Sequence, residues 1–372
     1  MKRFLSTVLV ACIFIFSFSV SACAEEVSLS AQAYVLYCVE NDTVLLSRNA
    51  DKKLKMASTT KIMTALLTLE EAKKHDKMVT FSESMIAQGS SMYLKVGDTV
   101  HLSDLAIGML MASGNDAANA AAITISGSVE NFSKLMNERA KKLEMKNTSF
   151  VTPSGLDDDN HYSTAYDLAL LMAHALRNEQ FCEISKNKSM TVDFFTPQKK
   201  VTYQNHNKLL SLYEYCVSGK TGYTQSAGRC LVTASKKDGL TLIAVTLNAP
   251  SDWNDHIKLY DYGFGRFCAI DTDLSDERYF ADVVGSDVDV VELYSNKGKN
   301  TVLDIDKKDS VTKTIYKPEF IYAPVKKGDR VALVEYSLDG KVIHKEYLYA
   351  SADAKRIKEK DIFDYIKDLF RD

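Results

Sequence analysis

Three short polar motifs in this sequence combine residue types that can carry out nucleophilic chemistry. The first is Ser58–Lys61, which reads Ser-Thr-Thr-Lys; positions i and i+3 of a helix share a face, so its hydroxyl and amine would be neighbours. A serine is a weak nucleophile until a base takes its proton, and a lysine shielded from solvent beside another cation can be neutral enough to do so. The second motif is Ser113–Asn115, between two helical patterns, and the third is Lys220–Gly222, just before an apolar run.

Each motif alone is a weak signal, because such short patterns occur by chance. Ser58 and Asn115 could be ordinary helix caps, and Lys220 could be a solvated strand end. Their order and spacing are more informative: Ser113 lies 55 positions after Ser58, and Lys220 lies 107 positions after Ser113. The series Ser-x-x-Lys, Ser-x-Asn and Lys-Thr-Gly resembles the signature of β-lactamases and penicillin-binding proteins.

Over about residues 30–350 the chain resembles the low-molecular-mass penicillin-binding proteins, the serine-type D-Ala-D-Ala carboxypeptidases of peptidase family S11. Besides the three motifs, the stretches that resemble this family are Thr152–Leu156, His161–Ala165, Asp167, Asn205–Leu210, Gly219–Thr224 and Ala227–Gly228. Gly114 stands where class A β-lactamases usually have Asp and where the carboxypeptidases commonly have Gly.

The resemblance implies a penicillin-binding hydrolase that removes the terminal D-alanine from peptidoglycan pentapeptides. Ser58 would attack the carbonyl between the two D-alanines, and Lys61 would take its proton. Ser113 would relay a proton to the leaving amine with help from Lys220. Water would then release the acyl group, whereas penicillin would acylate Ser58 and leave slowly. Ser58, Lys61 and Ser113 are therefore the predicted catalytic residues.

The same resemblance implies the substrate contacts. Asn115 would hydrogen-bond the substrate peptide, and Lys220 with Thr221 would hold its terminal carboxylate, since a cation and a hydroxyl suit a negative end group. Gly222 would let the strand approach the substrate backbone. The backbone N–H groups of the nucleophile and of Tyr223 would form the oxyanion hole. The expected ligands are stem peptides and β-lactams, and neither a cofactor nor a metal is implied.

Rival functions stay open at this point. A β-lactamase would share the first and third motifs, but the sequence between Ser113 and Lys220 holds no Glu-x-x-Leu-Asn segment to activate a deacylating water. A D,D-endopeptidase could use the same scaffold, and a non-catalytic wall-binding protein could keep the fold, although the intact motifs argue against the latter. We interpret His161 as a structural loop residue and Asp167 as a helix-start residue, and no Gly-x-Ser-x-Gly elbow is present.

Hydrophobic periodicity predicts the elements that must position these motifs. Apolar, β-rich runs predict strands at 33–39, 43–46, 229–235 and 240–247, and Asp238-Gly239 between the last two predicts a hairpin. Apolar residues at helical spacing predict helices from near Ser58 and at 103–111, 115–125, 129–143 and 164–177. Asn115 and Asp116 could cap the third of these helices, and Thr164 with Asp167 resembles a capping box. We therefore expect an α/β domain, and the resemblance implies a β-lactamase/transpeptidase-like one, in which helices flank an antiparallel sheet.

The pattern changes after about residue 272, and short strands and turns from 279 to 349, with a hairpin at Leu338–Gly340, predict a small all-β second domain. From Ala352 to Asp372 the tail turns helical, with apolar residues on one face, and could lie on a membrane surface, on its own domain or on a partner. The predicted segments are a signal peptide at 1–24, a catalytic domain at 25–274, the all-β domain at 275–350 and an amphipathic helix at 351–372.

The first residues have the features of an export signal. Lys2 and Arg3 precede an apolar run, and Ser-Ala-Cys-Ala then predicts cleavage before Glu25. Val20–Cys23 also resembles a lipoprotein box, which would leave a lipid on Cys23. Either reading predicts the extracytoplasmic face of a bacterial membrane or the cell wall. The cysteines beyond this segment lack metal-knuckle spacing and are expected to be free: Cys38, Cys182, Cys216, Cys230 and Cys268.

Composition fits this interpretation. The 372 residues are 46% hydrophobic and 26% charged, which is ordinary for a globular chain of about two domains. The formal net charge is -3, and removal of residues 1–24 with their two cations would make it about -5. Since no basic stripe is present, nucleic acid is not an expected partner.

Overall fold

The computed structural model describes residues 27–357, apart from Lys297 and Lys299. The predicted signal segment 1–24 therefore lies outside the described residues. The helices are α1 Lys61–Lys74, α2 Leu102–Met111, α3 Asn115–Ser126, α4 Val129–Lys142, α5 Ala165–Ala175, α6 Glu179–Lys186, α7 Leu209–Leu212 and α8 Asp252–Arg266. Short 3₁₀ helices lie at Ala57–Thr60, Glu83–Met85 and Ile305–Ser310.

The strands of the first 270 residues are β1 Ala33–Cys38, β2 Thr43–Arg48, β3 Met78–Thr80, β4 Thr99–His101, β5 Ser189–Phe195, β6 Gln198–Gln204, β7 Cys216–Thr224, β8 Gly228–Lys237, β9 Leu240–Leu247 and β10 Phe267–Ile270. The later strands are β11 Tyr279–Val284, β12 Val290–Ser295, β13 Thr301–Asp304, β14 Thr312–Tyr316, β15 Phe320–Tyr322, β16 Arg330–Leu338 and β17 Lys341–Ala350.

A five-stranded antiparallel sheet in the order β2-β1-β9-β8-β7 forms the centre of the first domain. Asp238 and Gly239 both adopt positive φ (46° and 79°), as an Asp-Gly turn favours, so the predicted hairpin between β8 and β9 is confirmed. The third motif is part of strand β7, at the edge of the sheet, whereas the apolar pattern placed it just before the strand at 229–235.

The two faces of this sheet explain why β1 is apolar at every position. Val35 and Tyr37 join the core formed with α1 to α6, whereas Tyr34 and Leu36 face α8 on the opposite side. Since side chains alternate between the two faces of a strand, helices on both faces leave no solvent-exposed side for β1. The first domain is thus the predicted sheet flanked by helices.

Helix α3 begins differently from the prediction. Its N-cap is Gly114, without a side-chain cap, so the prediction that Asn115 and Asp116 cap this helix is wrong. Both side chains have other partners: the Asn115 amide contacts Lys61, and the Asp116 carboxylate accepts from the backbone N–H of Met92 at 2.8 Å. At α5, Thr164 caps as predicted, but the Asp167 carboxylate does not complete a capping box.

The second domain is all-β. Its six-stranded sheet has the order β14-β16-β17-β12-β11-β15, antiparallel except for the parallel pair β11 and β15. The predicted hairpin at Leu338–Gly340 joins β16 to β17, where Asp339 and Gly340 have positive φ. A small two-stranded sheet of β10 and β13 links this domain to the end of α8.

The predicted tail helix is wrong in its first residues. Ala352 to Ile357 are not helical: Ala354 forms a β-bridge with Val325, and Arg356 forms one with Ser286. The apolar positions that motivated the prediction lie beyond Ile357, outside the described residues. No helix in the described part of the chain is long and apolar enough to cross a membrane. The five cysteines beyond the signal segment are free, as predicted.

Candidate active site

A strained turn holds Ser58 at the start of α1. Ala57 adopts a positive φ of 48°, and an added Cβ on Gly155 would overlap the Ala57 carbonyl oxygen, so only glycine fits there. Thr60 Oγ1 donates to that same carbonyl oxygen at 2.8 Å. Residues 57–60 thus form a rigid turn, which presents Ser58 on the helix face that carries Lys61.

His161 supports this turn from behind. Its Nδ1 accepts a hydrogen bond from Val151 N at 2.9 Å, so Nε2 carries the proton and donates to Thr60 Oγ1 at 2.8 Å. Burial lowers the pKa of His161 to about 4, which keeps the ring neutral. This geometry agrees with the structural role given to His161 from the sequence.

The Lys61 amine lies at the centre of the site and is completely buried. Its Nζ lies 2.6 Å from Asn115 Oδ1, 2.6 Å from the Ser154 carbonyl oxygen and 2.9 Å from Ser58 Oγ. The first two oxygens can only accept, so a neutral amine gives them its two hydrogens. In this neutral form the lone pair is left for the Ser58 hydroxyl, which could then donate its proton across the 2.9 Å contact.

Electrostatics favour this neutral form. Burial, and next the charge of Lys220, lower the pKa of Lys61 well below its usual range, while Asp116 acts in the opposite direction. Burial also lowers the pKa of Lys220, to about 7. The pair can therefore share one proton near neutral pH, with Lys61 neutral and Lys220 charged.

Lys220 and Ser113 meet across the cleft from Lys61. Lys220 Nζ donates to Ser113 Oγ at 3.0 Å and to the Thr221 carbonyl oxygen at 2.7 Å. Ser113 has a positive φ of 57°, a strained conformation for a serine, and directs its hydroxyl toward β7. The second and third motifs are thus joined by a direct hydrogen bond, although 107 positions separate them.

Strand β7 closes the other wall of the site. A Cβ added to Gly222 would lie 3.0 Å from Ser58 N and 3.0 Å from the Met56 carbonyl oxygen, so this strand touches the turn that carries the serine. Tyr223 follows on the same edge strand with an exposed side chain. The backbones of Ser58 and Tyr223 therefore border one space.

The predicted residues divide into two layers around a cleft of about 340 Å³. Those that line it are Ser58, Ser113, Thr221, Gly222 and Tyr223. The other three are buried behind this lining: Lys61, Asn115 and Lys220. Ser154 was quoted only within a resembling stretch, yet its carbonyl oxygen is a partner of the lysine base.

Sequence reasoning gave no role to five further residues that line the cleft: His206 and Lys208, within the resembling stretch 205–210, and Arg229, Asp252 and Trp253. The Arg229 guanidinium donates to Asp252 Oδ1 from Nε at 3.0 Å and from Nη2 at 2.7 Å, and lies 5.7 Å from the Trp253 ring centre. Arg229 keeps part of its side chain exposed, whereas Asp252 is buried. The available signal was a cation at the start of an otherwise apolar strand.

A serine hydroxyl facing a neutral lysine, with a second hydroxyl–lysine pair opposite, defines a class of enzyme. This arrangement is typical of serine hydrolases that use a lysine rather than a histidine as general base. Within residues 27–357, excluding the two undescribed lysines, no cluster of His, Cys, Asp or Glu could hold a metal ion.

Comparison with known proteins places the chain within this class. The profile of the D-alanyl-D-alanine carboxypeptidases, peptidase S11, matches residues 19–251, and that of the penicillin-binding protein 5 C-terminal domain matches residues 276–356. D-alanyl-D-alanine carboxypeptidase DacF of Bacillus subtilis is 32% identical, over 96% of this chain and 95% of the relative. D-alanyl-D-alanine carboxypeptidase DacC of Escherichia coli is 35% identical, over 89% and 86%.

Solved structures agree with these matches. Penicillin binding protein 5 from Haemophilus influenzae has a TM-score of 0.69 and 32% identity, covering 88% of this chain and 98% of that one. The Streptomyces K15 DD-transpeptidase has a TM-score of 0.61 and 30% identity, covering 64% and 98%. The chain therefore belongs to the D-alanyl-D-alanine carboxypeptidase family, peptidase S11. This confirms the family, the fold class and the kind of enzyme predicted from the sequence.

Proposed function

We propose that this protein removes the terminal D-alanine of peptidoglycan pentapeptides through an acyl-enzyme on Ser58, and that penicillins acylate the same hydroxyl. The observation that carries the proposal is the buried Lys61 amine, which lies 2.9 Å from Ser58 Oγ and 2.6 Å from each of two other acceptors. A neutral lysine so placed can take the serine proton as the hydroxyl attacks.

Acylation then proceeds in two steps. Ser58 Oγ bonds to the carbonyl carbon of the penultimate D-alanine while its proton passes to Lys61 Nζ. The bond to the terminal D-alanine breaks as its nitrogen receives a proton from Ser113 Oγ, which is resupplied by Lys220 Nζ at 3.0 Å. A pKa of about 7 suits Lys220 to this acid role near neutral pH.

Substrate binding uses the wall formed by β7. The backbone N–H groups of Ser58 and Tyr223 are proposed as the oxyanion hole, since Gly222 brings their backbones together. Each donor of this kind is worth about 3–4 kcal/mol of barrier reduction. Asn115 is proposed to hydrogen-bond the substrate peptide with the amide hydrogen that it does not give to the Gln88 carbonyl oxygen.

The terminal carboxylate needs a cation that can reach it. Lys220 was predicted for this role with Thr221, but its amine is buried and already donates to Ser113 and to the Thr221 carbonyl. We therefore extend the carboxylate site to Arg229, which lines the cleft and keeps part of its guanidinium exposed. Its planar fork can bind a carboxylate with two hydrogen bonds.

Slow release of penicillin also follows from the lining. The one carboxylate among the described residues of the cleft is Asp252, and Arg229 already engages it. Nothing in that lining resembles a carboxylate base beside Ser58 of the kind with which a β-lactamase activates water against its penicillin-derived acyl-enzyme. We therefore expect a long-lived penicillin adduct, whereas a β-lactamase would turn penicillin over rapidly.

The cellular setting is proposed from the sequence. Residues 1–24 would direct export as a signal peptide and then be removed. The mature chain would consist of the catalytic domain at 25–274, the β-domain at 275–350 and the tail at 351–372. Residues 358–372 carry Ile362, Phe363, Ile366, Leu369 and Phe370 at helical spacing, which suits contact with a membrane surface. The enzyme would then work at the extracytoplasmic face of the membrane.

Mass spectrometry after penicillin treatment tests the catalytic assignment. We expect one adduct, on the peptide that contains Ser58, persisting for longer than a β-lactamase turnover. Ser58→Ala should remove the adduct and the release of D-alanine together, while Ser91→Ala, a serine that donates to Asp116, should keep both. Acylation at another residue, or D-alanine release by Ser58→Ala, would refute the proposal.

A further inference from the structure

Four exposed apolar side chains cluster where the described chain ends: Val284, Val288, Tyr322 and Ile357, here called the exit patch. Val284 pairs with Tyr322 across β11 and β15. Ile357 N donates to the Gly285 carbonyl oxygen at 3.0 Å. Val288 lies in the turn that follows Gly285, so all four belong to one corner of the β-domain.

The exit patch does not contribute to the core of its own domain. Its neighbours Val283 and Ile321 point inward and pack with Val325 and Ala354, so the strands alternate between core and solvent. Tyr322 is 70% exposed and Ile357 is 55% exposed. Exposed apolar side chains grouped at one corner are typical of a contact surface, because water is an unfavourable neighbour for them.

Exposed lysines and aspartates surround the exit patch. Three nearby aspartates accept hydrogen bonds from backbone N–H groups and so fix the loops: Asp287 from Lys355 N, Asp329 from Lys326 N and Asp353 from Lys327 N. In the described part of the chain, the amines of these three lysines form no ion pair. The three aspartates remain charged, so the rim carries both signs, and apolar side chains within such a rim suit the zwitterionic surface of a phospholipid bilayer.

The position of the tail makes the bilayer the matching partner. The apolar stripe of the tail begins at Ile362, five residues after Ile357, and five residues reach at most about 18 Å. If the stripe lies in a membrane, the corner at Ile357 cannot be farther than this from the same surface. The exit patch is the apolar surface at that corner.

We propose that the exit patch inserts into the surface of a phospholipid bilayer next to the tail. This inference rests on the proposed membrane contact of residues 358–372. Two attachment points would fix the orientation of the β-domain on the membrane, whereas a tail alone would leave the enzyme free to pivot. Val284, Val288, Tyr322 and Ile357 would enter the interface, and the lysines would meet lipid phosphates.

Flotation of the full mature chain with phosphatidylcholine vesicles tests the inference. Val288→Asp should lower the partition coefficient by about tenfold, because the variant loses apolar contact and must place a charge at the interface. Val342→Asp is the matched control, since Val342 is 45% exposed and Val288 is 40% exposed. Val342 lies eight residues before Ala350 on β17, about 26 Å along the strand, and should bind within about twofold of the unmodified protein.

The possible outcomes separate this inference from the others. Equal binding by Val288→Asp and the unmodified protein, or equal losses in both variants, would refute the insertion of the exit patch. The proposed membrane contact of the tail would not be affected by either result. If the unmodified protein does not bind vesicles, the membrane insertion of the exit patch and the membrane contact of the tail are both refuted. Release of D-alanine from a soluble peptide should be unchanged in both variants, so the enzymatic proposal is tested separately.

Discussion

The two domains treat polar side chains in opposite ways. In the catalytic domain Lys61, Ser113, Asn115 and Lys220 are all buried, and they contact one another. Among the described residues from Tyr279 onward, Ser286 is the one buried polar side chain, and the lysines of that domain are exposed.

This difference in polar burial indicates which domain contains groups that lower its stability. Burying an amine disfavours its charged form, and a folded domain normally avoids this unless the group has a task. The catalytic domain buries two such amines within one site, while the β-domain buries apolar side chains. Variants should therefore have different effects in the two domains. Those in the catalytic site should change the chemistry, and those in the core of the β-domain should change stability alone.

The largest expected effect comes from Lys61→Met, which keeps a chain of similar length but removes the base. We expect the rate of acylation by penicillin to fall by about 10³-fold, within the range that general bases contribute. Stopped-flow measurement with a fluorescent penicillin would give this rate. Lys74→Met is the control, because Lys74 lies exposed at the end of the same helix. Retention of acylation within tenfold by Lys61→Met would remove Lys61 as the base.

Arg229→Gln should have the next largest effect. If Arg229 binds the terminal carboxylate, KM for a D-Ala-D-Ala peptide should rise by about 10- to 100-fold with little change in kcat, as expected for loss of a charge-assisted hydrogen bond. Arg229→Lys should recover part of this loss.

A substrate with a terminal carboxamide provides the internal control for Arg229. The unmodified enzyme should treat this substrate poorly, and Arg229→Gln should make it no worse. A further KM increase with the carboxamide would mean that Arg229 acts on the fold through Asp252, its buried partner, and does not bind the carboxylate.

Lys220→Met tests the stability side of the comparison. The folded pKa of Lys220 is about 7, below its unfolded value of about 10.4, so the unfolded chain binds more protons between these pH values. The resulting destabilisation is fully present below about pH 7 and disappears as pH rises toward 10.4. We expect Lys220→Met to raise the free energy of unfolding by up to about 4 kcal/mol at pH 7, and by much less at pH 10.

Urea unfolding followed by tryptophan fluorescence would measure this gain. The chain has one tryptophan, Trp253, which begins α8 in the catalytic domain and therefore reports that domain. Lys208→Met, at an exposed lysine that lines the same cleft, should leave stability unchanged. If the stability gain of Lys220→Met grew from pH 7 to pH 10, its pH dependence would have the wrong sign. That result would contradict the inference that burial disfavours the charged form of Lys220.

The sequence predicted the motifs better than the surroundings that make them work. Short motifs and their order pointed to Ser58, Lys61, Ser113 and Lys220, because each motif requires particular residue types at fixed positions. Turn chemistry likewise predicted the Asp238–Gly239 hairpin, since few residues adopt that conformation.

What the sequence missed depends on contacts between distant segments. The Ser154 carbonyl is a partner of Lys61 by its backbone, which no residue type reveals. Arg229 and Asp252 meet only after two strands and a helix pack together. Asn115 looked like a helix cap because its residue type favours caps, but tertiary contact with Lys61 decided its role.

The smallest expected effect lies in the β-domain, with Val334→Ala. Val334 is fully buried in the core of the six-stranded sheet, so losing two methyl groups should cost about 1.5 kcal/mol of stability. Circular dichroism should show the β-rich transition at lower urea, while the Trp253 transition and the release of D-alanine stay unchanged. Val342→Ala, on the exposed end of β17, should shift neither signal. If Val334→Ala slows D-alanine release well below its unfolding midpoint, the β-domain shapes the active site, and the separation of chemistry from stability between the domains does not hold.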